Sequence, residues 1–184
     1  MNKARIAVVI ATWFGSGLMR PRFFGKLRSG TYGSIAAIPL CLVAIWVSAR
    51  LPSFGPFGRG EYYGAIVGMV LFLGVWSVPY AERRLGPRTD WRGKTKTRDQ
   101  NEIVVDEVAG MLIACMPLIG KKGWPFLFGV VAALILFRIF DIVKVWPTSY
   151  FDRQKSADGV MLDDVAAGAQ AAFVLYLVRY FFLL

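Results

Sequence analysis

Five carboxylates stand where carboxylates are rarely found. Asp106, Glu107, Asp141, Asp163 and Asp164 lie inside otherwise apolar runs of a chain with only twelve acidic residues. An ionisable side chain within a membrane span costs about 2.5 to 3.5 kcal/mol on insertion scales, so its default reading is functional. A single such acid could be half of a structural ion pair, or a carboxylate favoured by the dipole at a helix start. Five together point to a shared task. Clustered carboxylates repel one another and take up protons unless a cation sits among them, and a divalent ion removes that penalty. The chain contains no histidine, which excludes imidazole as base, nucleophile or ligand. Its two cysteines, Cys41 and Cys115, sit in apolar runs without metal-ligand spacing and read as small buried hydrophobes. A set of oxygen ligands alone suits Mg²⁺, with Mn²⁺ as substitute, and disfavours zinc, which prefers His or Cys ligands.

Cations accompany the acids. Arg138, Asp141 and Lys144 recur every three residues, which places them on one face of a helix. They read as a grip on phosphate, the plainer alternative being a self-compensated charge stripe or snorkelling at the membrane edge. The run Ser29-Gly30-Thr31-Tyr32-Gly33-Ser34 is expected to precede a helix. There its backbone N–H groups and the hydroxyls of Thr31 and Ser34 could cradle an anion, although the same run also makes an ordinary turn and N-cap. Two acid pairs echo one another, in Val-Val-Asp-Glu-Val-Ala-Gly at 104–110 and Met-Leu-Asp-Asp-Val-Ala-Ala-Gly at 161–168. The small residues after each pair would let two helices approach closely and bring the acids together.

The elements that must position these groups are apolar helices. Of 184 residues 56% are hydrophobic and 18% charged, with mean hydropathy +0.50, against about 25% charged in a soluble domain. Lipid is the expected solvent, and the absence of any polar linker predicts a single domain over residues 1–184. Five hydrophobic helices are expected, at Ser34–Leu51, Tyr62–Ala81, Ile103–Ile119, Trp124–Val143 and Val160–Leu184, each near the ~20 residues a span requires. The short run Ile6–Phe14 lacks a cleavage site and reads as an interfacial or re-entrant helix rather than a signal peptide. The fold class is therefore an all-α polytopic membrane bundle.

The net charge of +10 follows from basic residues flanking apolar stretches, so anionic lipid headgroups are the expected partner and nucleic acid is not. A cytoplasmic N-terminus, the polar loop Glu82–Asn101 and the Lys144–Lys155 connection together hold 16 of the 22 basic residues. The positive-inside rule then puts all five acids at the cytoplasmic end.

At these residues the sequence resembles the phosphatidylglycerophosphatase A family. The resemblance is carried by Gly30-Thr31-Tyr32-Gly33-Ser34, Asp106-Glu107-Val108-Ala109-Gly110, the run Phe137-Arg138-Ile139-Phe140-Asp141-Ile142-Val143-Lys144-Val145-Trp146-Pro147, and Gly159-Val160-Met161-Leu162-Asp163-Asp164. Phe14-Gly15-Ser16-Gly17 and Phe151-Asp152-Arg153 extend it. It implies a Mg²⁺-dependent, multi-pass enzyme of the bacterial inner membrane that hydrolyses phosphatidylglycerophosphate to phosphatidylglycerol and inorganic phosphate. The chain departs from the family pattern at Val145, at Ser29 and over Lys155–Asp158, which touches loop geometry more than chemistry.

On this reading Asp106, Glu107, Asp141, Asp163 and Asp164 are the catalytic and metal-holding residues, and Arg138, Lys144, Thr31 and Ser34 bind phosphate. Phosphatases built on histidine, on Cys-x5-Arg or on Asp-x-Asp lack their residues here. A CDP-alcohol-type phosphatidyltransferase is the near rival, though its spaced Asp-Gly and Ala-Arg pattern is missing. A small cation channel or transporter is the rival from another class, and it would spread its acids across the membrane depth.

Overall fold

In the computed structural model, residues 2–19, 29–52, 55, 58–89, 93, 95–97, 100–120, 123–154, 156 and 157–182 are described. The basic residues Arg20, Arg22, Lys26, Arg28, Arg92, Lys94, Arg98, Lys121, Lys122 and Lys155 lie outside them.

Among the described residues four helices are long and apolar enough to cross a membrane: α2 (Ser29–Arg50), α3 (Gly60–Leu85), α5 (Trp124–Val143) and α7 (Ala157–Phe182). The run Ile103–Ile119, expected as a fifth, instead forms α4 (Val105–Cys115), eleven residues followed by a 3-10 turn at Met116–Leu118 that contains Pro117. At ~1.5 Å per residue α4 is about 16 Å long, half the ~30 Å of a hydrocarbon core. Nine of its residues are buried, because α2, α3, α5 and α7 all pack on it. A helix apolar on every side can be enclosed by protein as well as by lipid, and here the enclosure is protein.

The remaining elements sit around this axis. The short N-terminal helix α1 (Lys3–Ala11) packs on α3, and the Ala11 carbonyl accepts a hydrogen bond from the Val104 N–H at the entry to α4. Helix α3 outlasts its expected end at Ala81. Glu82, Arg83 and Arg84 form its last turn, where the two arginines complement the helix dipole, and Gly86 stops it with φ 67°. The polar stretch beyond contains a two-residue antiparallel ladder, β1 (Arg88–Thr89) on β2 (Thr95–Lys96). Gln100, wholly buried, donates from Nε2 toward the carbonyls of Glu82, Gly86 and Thr97, tying this excursion to the end of α3 just before the chain enters α4.

Candidate active site

The site is built where α4 and α7 begin. These helices run the same way, and the echo in their sequences is the reason they touch. A Cβ on Gly168 would lie 2.3 Å from the Gly110 carbonyl oxygen, and a Cβ on Gly110 would lie 2.7 Å from the Asp164 carbonyl oxygen. Only hydrogen fits in either place, so the backbones of α4 and α7 lie directly against each other. One helical turn before each glycine stands an acid, Asp106 before Gly110 and Asp164 before Gly168, and the close approach brings these acids side by side.

Carboxylate oxygens of Asp106, Glu107 and Asp164 all lie within 4.8 Å of one another. Asp106 and Asp164 are almost completely buried, and Asp106 Oδ1 accepts the Glu107 N–H at 3.0 Å. Among the described residues Glu107 Oε2 is buried with no hydrogen-bond partner, although a buried acceptor without a partner is normally costly. Burial pushes the Glu107 carboxyl up to about 8; the hydrogen bond with Asp106 and the Arg138 guanidinium pull against this, while the charges of Asp164 and Asp141 add to it. Three crowded oxygen donors, one of them orphaned, fit a hard divalent cation.

The other expected residues surround this trio in distinct roles. Arg138 Nη1 lies 2.9 Å from Asp141 Oδ2, both side chains mostly buried, and among the described residues Arg138 Nε has no hydrogen-bond partner. Lys144 Nζ donates to Asp163 Oδ2 at 2.7 Å and to Asp152 Oδ1. Burial pulls the Lys144 ammonium down, but these two carboxylates outweigh it and hold it above its ordinary value. Asp141 and Asp163 thus each pair with a cation, whereas carboxylate oxygens of Asp106, Glu107 and Asp164 gather within 4.8 Å, with Arg138 close enough to act on Glu107.

The Gly-Thr-Tyr-Gly-Ser run does not precede a helix: it lies within α2. Ser34 is buried and its hydroxyl donates to the Gly30 carbonyl at 2.9 Å, a bond one turn back that satisfies the buried hydroxyl within its own helix. Gly30 gives this turn its place in the site, since a Cβ there would lie 2.1 Å from Glu107 Oε1 and 3.1 Å from Arg138 Nη1. Thr31 is half-buried in the same turn.

Two contributors have no role assigned from sequence: Asp152 stands only in the Phe151-Asp152-Arg153 block, and Gln170 is not singled out. Asp152, on the short helix α6 (Thr148–Asp152), shares Lys144 with Asp163. Gln170 of α7 accepts the Thr148 hydroxyl at 2.6 Å and donates to the Trp146 carbonyl at 3.2 Å. A lone amide in the middle of an apolar segment was the available signal for Gln170.

Comparison with known proteins finds relatives that match nearly the whole chain. The family model described as Phosphatidylglycerophosphatase A matches residues 9–179. Phosphatidylglycerophosphatase A of Escherichia coli is 32% identical over 171 residues, covering 92% of this chain and 81% of that protein. A putative phosphatidylinositol-3-phosphatase of Bacteroides thetaiotaomicron is 31% identical, covering 95% and 94%. Phosphatidylglycerophosphatase A of Haemophilus influenzae is 27% identical, covering 95% and 90%. No solved structure matches.

Proposed function

The chain belongs to the phosphatidylglycerophosphatase A family, and from that premise we propose that it hydrolyses phosphatidylglycerophosphate to phosphatidylglycerol and inorganic phosphate, using Mg²⁺ at the Asp106, Glu107 and Asp164 cluster. That it is a membrane enzyme acting on a lipid phosphate follows from the family and from its apolar helices. The proposal places the cluster at the cytoplasmic face of a bacterial inner membrane, where the positive-inside rule puts the basic loops. The single observation that carries the metal is the convergence of three buried carboxylates from α4 and α7 within 4.8 Å.

In this reading Asp106, Glu107 and Asp164 hold the ion. A bound Mg²⁺ would polarise the phosphoryl oxygens and supply an activated water for in-line displacement. Arg138 and Lys144 hold the remaining phosphoryl oxygens and stabilise the charge spread over them as the ester bond breaks. Asp141 fixes the Arg138 guanidinium, and Asp163 with Asp152 fixes the Lys144 ammonium, so both cations meet the substrate already oriented. The Gly30 turn of α2 closes the site beside Glu107 and Arg138.

Phosphate release from phosphatidylglycerophosphate in detergent, with Mg²⁺ and with a chelator, tests the reading. Asp106→Asn and Asp164→Asn proteins should lose nearly all turnover, and the chelator should abolish it in the wild type. Undiminished turnover in both variants would rule these acids out. The name of the Bacteroides relative makes an inositol phospholipid 3-phosphate the second substrate to assay, and preference for it would overturn the choice of lipid while leaving the chemistry in place.

A further inference from the structure

The connection between α5 and α6 does not pass straight through water. Lys144 caps α5 in the left-handed conformation, φ 51° and ψ 52°, and turns the chain back on itself. The next residues dock on α7: Gln170 donates to the Trp146 carbonyl and accepts the Thr148 hydroxyl, and Thr148 is fully buried. Helix α6 then returns the chain to Asp152, which meets Lys144 beside Asp163.

Asp163 and Gln170 are both on α7, about 10 Å apart along the helix axis at ~1.5 Å per residue. Gln170 is the midpoint of the candidate span Gly159–Phe181. The loop therefore leaves the level of the carboxylates, descends beside an apolar helix and climbs back. Irregular backbone is tolerated at membrane depth only where protein satisfies its polar groups, and the Gln170 amide does this for Trp146.

One face of this loop is docked and the other is open. Trp146 is 75% exposed, and Val145 and Tyr150 are also exposed. Trp146 is two residues from Lys144, so at most ~7 Å of chain separates this apolar surface from the ammonium. A phospholipid has the same layout, with acyl chains joined to a phosphate through a short glycerol unit.

We propose that residues 145–150 form a re-entrant platform that receives the acyl chains of the lipid substrate and presents its phosphate to Lys144 and the carboxylate cluster from the lipid side. The platform rests on the lipid-phosphatase reading and names what that reading leaves open: the part of the substrate recognised besides its phosphate. An amphipathic ring such as indole suits this boundary between chain and headgroup.

Two measurements test it. In vesicles containing lipids brominated at mid-chain, the part of the tryptophan emission that disappears in Trp146→Phe should be quenched more strongly than by acrylamide from water. Stronger quenching by acrylamide would put Trp146 in solvent and overturn the platform. In detergent, Trp146→Ala should lower kcat/KM for long-chain phosphatidylglycerophosphate roughly tenfold through KM, with a much smaller loss for its dibutyryl analogue and near-complete rescue by Trp146→Phe. Equal losses on both substrates, or a loss confined to kcat, would mark a structural role and overturn the proposal. A wild-type protein inert on every lipid phosphate would sink the phosphatase reading together with the platform's role, whereas solvent-exposed Trp146 in an active enzyme would sink the platform alone.

Discussion

Adding one methyl group at Gly168 should disable the site from outside it. In Gly168→Ala the new Cβ would start 2.3 Å from the Gly110 carbonyl oxygen, while ordinary contact begins at 3.4 Å, so α4 and α7 must part by about 1 Å in a close-packed interior. The opposing atoms are backbone, and no side-chain rotation relieves them. Overpacking of this kind costs roughly 1–3 kcal/mol of stability. The larger effect is geometric: Asp164 and Asp106 sit one turn from the two glycines, so the shift pulls apart the carboxylates that converge within 4.8 Å. A misplacement of ~1 Å is worth about 100-fold in rate. Phosphate release as a function of Mg²⁺ concentration, with thermal stability in the same detergent, should show a loss of that order and a raised half-saturating Mg²⁺ concentration. Gly64→Ala in α3 is the control, because a Cβ there meets nothing within 4 Å and alanine is the better helix former. Turnover and Mg²⁺ dependence in Gly168→Ala equal to those of the control would refute the claim that this backbone contact sets the site.

Two further outcomes follow from the same geometry. Because the cation-free Glu107 carboxyl is pushed up to about 8, protons compete with metal below that pH: the half-saturating Mg²⁺ concentration should be level above about pH 8 and rise by up to ~10-fold per unit below it. A value constant from pH 6.5 to 9 would contradict this. Gly30→Ala would press a methyl onto the Glu107 carboxylate and the Arg138 guanidinium, both ends of flexible side chains, so activity should fall at least ~10-fold while thermal stability changes little; a large loss of stability with normal turnover of the folded fraction would be the opposite result.

Much of this arrangement was legible in the sequence because lipid imposes strong patterns. Four long helices announced themselves by length and hydropathy, with the limits of α5 matching those expected, and the acids stood out because apolar segments rarely contain them. The echo between 104–110 and 161–168 foretold a close helix pair, which Gly110 and Gly168 make. The third apolar run was misread as a span because hydropathy cannot separate burial in lipid from burial in protein, and α4 is buried by its neighbours. The Gly30–Ser34 run reads as a turn by residue preference, yet packing against Glu107 and Val104 rewards small residues there, and Ser34 bonds its own helix. Nor could sequence assign partners among the charges. That Asp163 faces Lys144 while Asp164 faces Asp106 depends on a 100° step around α7 and on where α5 ends, which only the assembled bundle determines.

The central claim is that Asp106, Glu107 and Asp164 jointly hold one divalent ion site, and direct binding of Mn²⁺ tests it most closely. Electron paramagnetic resonance of free Mn²⁺, titrated into purified wild-type protein and into Asp106→Asn/Asp164→Asn protein of matched thermal stability, separates bound from unbound metal without reference to activity. The account predicts saturable binding to the wild type that Mg²⁺ displaces and that the double variant has lost. Equal binding by both proteins would contradict it.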